Sequence, residues 1–277
     1  MAIRTYIHRL VLAATSTLVL ASCSSDRSVT GPPPPPAPVL LKDINLDRLP
    51  SPYYHFDYDA NHLPTGVSFA SGLNSYDLVY DGGRISEMRS NNLFNHDRLV
   101  YGYDDAGRVV SVKYTDENGI VFTVLFFTYN GQQLTGLERD RRVTGGLIID
   151  KTMSFSYYPD GNLLELTEHR PAIDGLQTEG TTVDRFERYD DKINVDAFGL
   201  IHDDFFDHLV LLPTVQLQKG NPAHVTHTGD GDNFTIDYTY TYDGRNRPLA
   251  RSGDLGFLTG QDAGQHFQLS DTFSYYN

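Results

Sequence analysis

His202-Asp203-Asp204-Phe205-Phe206-Asp207-His208 is the densest group of metal-ligating and proton-carrying side chains in this 277-residue chain. Imidazoles and carboxylates bind zinc and similar divalent ions. On a helix, Asp204 and His208 share a face. On a strand, His202, Asp204 and His208 share one. A closed site needs three or four ligands, and no further motif supplies the rest. The competing reading is a solvated face that turns Phe205, Phe206 and Leu209 inward, and no metal site is assigned. Asp230-Gly231-Asp232-Asn233 begins like a calcium loop, but Phe234 and Thr241 stand at its fifth and twelfth positions, where an EF-hand needs a polar ligand and a bidentate Glu. A hairpin turn explains these residues, as it does Asp116-Glu117-Asn118-Gly119. His224 and His227 point to opposite faces of a strand and form no common site. The chain has no Gly-x-Ser-x-Gly, His-Glu-x-x-His, phosphate-binding glycine loop or Ser-x-x-Lys. No catalytic residue and no cofactor is therefore assigned. Two carboxylates could hydrolyse a glycoside, but most acids here sit in turns where a local role suffices.

The single cysteine, Cys23, closes Leu20-Ala21-Ser22-Cys23 after an apolar run from Leu10 to Ala21, with Arg4, His8 and Arg9 ahead of it. The run is too short for a spanning helix, which needs roughly 20 apolar residues. Basic start, short apolar run and small residues before the cut form a signal-peptide pattern. With the cysteine it resembles the lipobox of bacterial lipoproteins. The resemblance implies a signal peptide over 1–22, a diacylglyceryl thioether on Cys23 and acylation of its new amino terminus, so that several acyl chains anchor the protein to a membrane. Residues 23–50 follow as a lipidated terminus and spacer, with Pro32 to Pro36 expected as extended polyproline II. Ser24, in place of the aspartate associated with inner-membrane retention, favours the outer membrane by the same resemblance.

The formal net charge of −14 becomes −16 without Arg4 and Arg9. Such a domain repels nucleic acid and anionic headgroups. With Cys23 lipidated, no thiol remains for a disulfide or thiolate site. Residues 51–277 must be held by their own core. Eighteen Tyr and fifteen Phe against no Trp point to strands.

A repeat positions these residues. An alternating aromatic strand ends in Tyr-Asp or a variant, a Gly/Asn turn follows, and an apolar strand returns. Instances are Tyr58-Asp59, Tyr80-Asp81-Gly82-Gly83-Arg84-Ile85, Tyr103-Asp104-Asp105-Ala106-Gly107-Arg108-Val109, Tyr129-Asn130-Gly131, Tyr158-Pro159-Asp160-Gly161-Asn162-Leu163, Tyr189-Asp190-Asp191 and Tyr242-Asp243-Gly244. Their tyrosines lie 22 to 31 residues apart until a final gap of 53. The turn carboxylate accepts a bond from a backbone amide just ahead, and Gly supplies positive φ. In Phe234 to Tyr242, one face is aromatic or apolar and the other carries Thr and Asp, as in an antiparallel strand with one wet side. These residues resemble the YD (RHS-like) repeats of bacterial envelope and toxin proteins, best at 103–109. The later part, through Tyr189-Asp190-Asp191-Lys192-Ile193-Asn194, Gly220-Asn221-Pro222 and Tyr238-Thr239-Tyr240-Thr241-Tyr242-Asp243, resembles Bacteroidota-type surface lipoproteins of unknown function.

The sequence thus predicts an all-β meander of about twelve to fourteen strands over 51–277, curled into a curved sheet or open barrel, with a two-sheet sandwich as the alternative. Ala197 to Leu212 fits an amphipathic helix about as well as a strand. A short helix is placed near 200–211, ended by Pro213 and packed on one face or end of the sheet. The function expected is a lipid-anchored cell-envelope protein that is a non-enzymatic binding or structural module. Its expected partners are the membrane through Cys23 and a glycan or envelope protein, not nucleic acid. The alternatives are a surface glycan hydrolase with paired carboxylates and a periplasmic lipid or lipoprotein carrier.

Overall fold

Sixteen antiparallel strands follow one another around a single closed sheet in the computed structural model, which describes residues 38–93, 95–202 and 207–277. The strands are β1 Leu41–Asn45, β2 Tyr54–Tyr58, β3 Pro64–Phe69, β4 Asn74–Asp81, β5 Arg84–Ser90, β6 Arg98–Tyr103, β7 Val109–Thr115 and β8 Val121–Asn130. The second half is β9 Gln133–Val143, β10 Gly146–Tyr157, β11 Leu163–Arg170, β12 Gly180–Tyr189, β13 Pro222–Gly229, β14 Phe234–Tyr242, β15 Pro248–Phe257 and β16 His266–Tyr275. Neither a curved open sheet, an open barrel nor a sandwich is present. Closure is made by β1, which pairs with β16 (Ile44↔Phe273) on one side and β2 (Ile44↔Tyr54) on the other. This five-residue strand lies inside the stretch whose composition reads as spacer. Its partner is more than two hundred residues away in sequence, so no local pattern announces it.

Hairpin turns put all the Tyr-Asp motifs at one end of the barrel. Asp104 Oδ1 accepts the Arg108 amide at 2.9 Å and Asp243 Oδ1 the Arg247 amide at 2.9 Å, the local role expected of these acids. At the β4–β5 turn, Gly82 and Gly83 both have positive φ (57° and 80°), as a two-residue type I′ hairpin requires. A bulge beside Tyr58, Tyr80, Tyr103, Tyr129, Tyr157 and Tyr242 shifts the register just before each turn.

The tyrosines join the hairpins. Each hydroxyl donates to a carbonyl at the start of the strand before its own: Tyr80 to Pro64 (2.6 Å), Tyr103 to Ile85 (2.7 Å), Tyr129 to Val109 (2.8 Å) and Tyr157 to Leu134 (2.6 Å). The ladder continues through Tyr189 to Leu163 (2.8 Å), Tyr240 to Pro222 (3.1 Å) and Tyr275 to Pro248 (2.7 Å). Two rungs use a neighbour of the expected residue, Tyr157 for Tyr158 and Tyr240 for Tyr242. The arginine of the repeat has a matching reason. Arg84, Arg108 and Arg247 each lie over the tyrosine of the next hairpin, 5.4, 5.1 and 4.3 Å from the ring centroids of Tyr103, Tyr129 and Tyr275.

Alternation sorts the wall into two faces. Ile236, Tyr238, Leu255, Leu269 and Phe273 point inward with the buried core. Thr235, Asp237, Thr239 and Thr241 on β14 and Gln268, Ser270, Thr272 and Ser274 on β16 face out. The outer faces of β2, β5 and β12 carry His55, Asp57, Glu87, Arg89, Arg185 and Glu187. Phe126, Leu147, Ile149 and Leu249 are exposed exceptions on β8, β10 and β15. A membrane-spanning barrel has the opposite arrangement, an outward apolar band around a polar lumen.

A sheet of this strand number would enclose an open channel. Here the described residues of the connection between β12 and β13, 190–202 and 207–221, enter it as a plug. Ile201, Leu209, Val210 and Leu217 are buried in the same core as the wall residues, each worth about 1.5–3 kcal/mol of apolar burial. Phe198 packs edge-on against Tyr54 and Phe56 (5.0 and 5.6 Å), and Tyr101 Oη donates to the Leu211 carbonyl at 2.7 Å. The expected helix near 200–211 is absent from the described residues. A single 3-10 turn, Ala197–Leu200, precedes an irregular path through 207–212, and 203–206 lie outside the described residues. The apolar periodicity was satisfied by a surrounding wall on several sides, so no helical stripe was needed.

Candidate functional site

Charge is concentrated inside the barrel where β9, β10 and the plug meet. Arg139 and Arg141 are two apart on β9 and share its inner face. Opposite them a bulge breaks the β9–β10 register between Ile149 and Lys151. It leaves Asp150 without a strand partner and re-aims the chain, so that the consecutive residues Asp150 and Lys151 are both fully buried. Asp150 receives Arg139 through two bonds (Nε–Oδ1 2.9 Å, Nη2–Oδ2 3.1 Å) and Arg141 Nε at 3.2 Å. The plug adds Asp207. Its Oδ1 accepts Tyr114 Oη at 2.7 Å, and its Oδ2 lies 3.8 Å from both Lys151 Nζ and Arg139 Nη1. Glu168 on β11 faces Lys151 at 3.8 Å and Arg170 Nε at 2.5 Å. Burial and the adjacent Asp207 push the Tyr114 hydroxyl well above its usual value, which keeps it a donor.

Beside this cluster is a cavity of about 530 Å³, lined by Arg139, Arg141, Arg142, Asp97, Asp207 and His208 together with Tyr114, Phe122, Asn95 and Thr123. It opens at the end opposite the tyrosine ladder. Two more cavities, about 440 and 480 Å³, share Asp184, Gly199 and Leu200. Several of their polar groups are paired. His227 Nδ1 meets Asp184 Oδ1 at 2.6 Å beneath the stacked ring of Phe234. Arg251 lies between Asp196 (2.7 Å) and Asp271 (2.8 Å) over Tyr238. Desolvation works against its charge, but Asp196, Tyr238 and Asp271 outweigh it and hold the guanidinium protonated.

Of the His202–His208 segment, His202, Asp207 and His208 are described, and they lie inside the barrel rather than on a solvated face. His202 and Asp207 are buried. His202 Nδ1 is hydrogen-bonded to Tyr54 Oη at 2.7 Å, while His208 Nδ1 meets Asp97 Oδ2 at 3.0 Å and the Tyr76 hydroxyl. Each imidazole thus has its own wall partners. Among the described residues, no group of three or more His, Cys, Asp or Glu is arranged to hold a metal ion. Asp204, Phe205 and Phe206 lie outside the described residues, as does Cys23. His224 points outward to Asp237 (2.8 Å) and His227 inward, as the strand alternation requires. Asp116 and Asn233 serve their turns, accepting the amides of Asn118 and Gly229 at 2.9 Å. Sequence reasoning missed Arg139, Arg141, Asp150 and Lys151. The alternation Arg139-x-Arg141 was visible, but the bulge that turns Asp150 and Lys151 inward was not.

No protein-family model matches the chain, and no curated protein matches it in sequence. Its fold does have solved counterparts. A porin-like protein from Bacteroides uniformis ATCC 8492 superimposes with a TM-score of 0.54 at 13% identity, covering 80% of this chain and 89% of that one. A porin-like protein from Bacteroides vulgatus ATCC 8482 gives 0.56 at 10% identity, over 86% of this chain and 99% of that one. At this identity the likeness is one of fold. Ile201, Leu209, Val210 and Leu217 of the β12–β13 connection lie in the buried core, and a further cavity of about 430 Å³ at the tyrosine end is mainly apolar, lined by Leu63, Pro64, Ile85, Leu211, Leu212 and Pro213 beside Tyr80 and Tyr103.

Proposed function

We propose that this is a lipid-anchored cell-envelope protein whose plugged barrel stands in water and acts as a non-enzymatic binding module. The observation that carries the reading is the polarity of the wall. Most outward residues are polar, most aromatic residues face in, and the arginine-lined cavity opens at the end opposite the tyrosine ladder. Such a barrel has no lipid-facing surface of its own and needs a separate anchor, for which Cys23 and the proline spacer are the candidates. β1 begins at the tyrosine end, and the arginine-lined cavity opens at the other. The porin-like fold of the two Bacteroides proteins and the cysteine context both favour the outer membrane. The Tyr-Asp hairpins support a kinship with YD repeats, and the tyrosine ladder gives that pattern a physical purpose.

Fractionation of cells expressing the parent and Cys23→Ser tests this. The parent is expected in the membrane fraction, released only by detergent. Cys23→Ser is expected in the soluble fraction with an unchanged β-sheet circular dichroism spectrum. A variant that stays integral to the membrane would show that the barrel itself spans the bilayer and would overturn the proposal.

A further inference from the structure

The cavity of about 430 Å³ at the tyrosine end is walled by Leu63, Ile85, Leu211 and Leu212 and by the rings of Tyr80 and Tyr103. Its volume is at the lower end of small-molecule sites. Most polar groups of this lining are already spent. The Tyr80 hydroxyl donates to the Pro64 carbonyl and the Tyr103 hydroxyl to the Ile85 carbonyl, while the Leu211 carbonyl accepts Tyr101 Oη. The Gly107 amide is held by the Asp104 carbonyl at 3.0 Å, and Pro64 and Pro213 have no N–H. A sugar or a peptide backbone needs a row of donors and acceptors, and this wall offers hydrocarbon instead.

One charge in the lining is uncommitted. Arg84, Arg108 and Arg247 are equivalent in the ladder, each over the tyrosine of the next hairpin. Arg108 is also tied to Asp104 and Arg247 to Asp243, both at 2.7 Å, with the acid four residues ahead of the arginine. The β4–β5 hairpin is tighter, so Asp81 stands three ahead of Arg84 and pairs with it only through the strand ladder. Among the described residues, the Arg84 guanidinium has no ion pair or hydrogen bond beyond its place over Tyr103, and it lines the cavity. Its five donors lie in the plane of the fork and stay available when it stands over a ring. The neighbouring turn acid Asp59 is bound to its own hairpin, accepting the Asn61 and Leu63 amides at 2.8 and 2.9 Å. An apolar pocket with one uncommitted cation fits an alkyl chain that ends in one anion. We propose that this cavity binds a free fatty acid of medium chain length, with the chain against Leu63, Leu211 and Leu212 and the carboxylate on Arg84. A carboxylate is planar and meets a guanidinium through two parallel bonds. This rests on the binding-module reading and specifies its ligand class.

Isothermal titration of the full chain carrying Cys23→Ser, in buffer without detergent, tests the inference with decanoate below its micelle-forming concentration. Hexanoate serves as the same head on a shorter chain, decanol as the same chain without charge, decyltrimethylammonium as the opposite charge, decyl phosphate as a different anion, and a peptide ending in Leu-Leu as the carboxylate carried by a protein. Decanoate is expected to bind at least fivefold more tightly than each of these. Against hexanoate the ratio should be larger, because each methylene contributes roughly fourfold. Arg84→Ala is expected to lose at least fivefold, and with it the preference over decanol. Leu63→Glu, which puts an acid at a rim position that is 42% exposed, is expected to lose at least tenfold. Both variants should keep the β-sheet circular dichroism spectrum of their parent. Arg185→Ala, outward on β12 beside Glu187, is expected to bind like the parent. Absence of decanoate binding, equal binding of hexanoate or decanol, preference for the ammonium, the phosphate or the peptide, or an unaffected Arg84→Ala would each overturn the site. A glycan array with the same chain separates this failure from that of the broader reading: capture of glycans without decanoate binding would leave a binding module with its site elsewhere.

Discussion

Tyr129→Phe removes one oxygen and isolates one rung of the ladder. The lost bond is Tyr129 Oη to the Val109 carbonyl at 2.8 Å, in a half-buried position at the start of β7. A neutral hydrogen bond contributes about 1 kcal/mol net, and an acceptor left dry can add about 1 kcal/mol more. The phenyl ring keeps its packing and its place under Arg108 at 5.1 Å, so a loss of about 1–2 kcal/mol is expected. With a urea dependence of about 3 kcal/mol per molar, the unfolding midpoint of the full chain carrying Cys23→Ser should fall by about 0.5 M. Tyr129→Ala should cost about 3–5 kcal/mol, because the ring is lost as well. If the Phe variant unfolds within about 0.1 M of its parent, the rung carries no stability, and tyrosine stands in the repeat for its ring alone.

The ladder also implies an alkaline limit. Burial pushes the hydroxyl of the rung Tyr129, and that of Tyr58 at the first Tyr-Asp turn, up from 10.0 to about 12. The unfolded chain therefore ionises first, and their stabilisation, complete below pH 10, should be lost between pH 10 and 12 in a series of urea titrations. The acid limit has the opposite sign. Backbone amides of Arg108 and Asn162 hold Asp104 and Asp160 below 3.8, so their contribution is present above that pH and should disappear as the pH falls through the folded values. Asp150→Ala strips a buried carboxylate from Arg139 and Arg141 and should cost about 3–5 kcal/mol in the same urea assay. Gly220→Ala should cost about 3 kcal/mol by overpacking. Its added Cβ would lie 2.2 Å from the Asp190 carbonyl oxygen, in backbone clamped by the 2.9 Å bond from the Asn221 amide to Asp190 Oδ1.

Local chemistry was legible in the sequence wherever the cause was local. Strand alternation, the capped Asp turns and the Tyr-Asp-x-x-Gly-Arg spacing follow from backbone geometry within one hairpin, so residues 103–109 could be read directly. The opposite faces of His224 and His227 were likewise settled by a period of two. Three features depended on the closed sheet. β1 is a short strand whose pairing with β16 exists only once the ends of the chain meet, and that pairing converts a meander into a barrel. The segment Ala197 to Leu212 has ambiguous periodicity, and the described residues of this connection touch β2, β6, β7 and β15 from within; a segment with wall on several sides needs no single apolar stripe. Finally, Asp150 and Lys151 stand next to each other on a strand that should have sent them to opposite faces. One bulge against β9 turned both inward, and with Asp207 from the plug it made a charged site that no spacing in the sequence foretold.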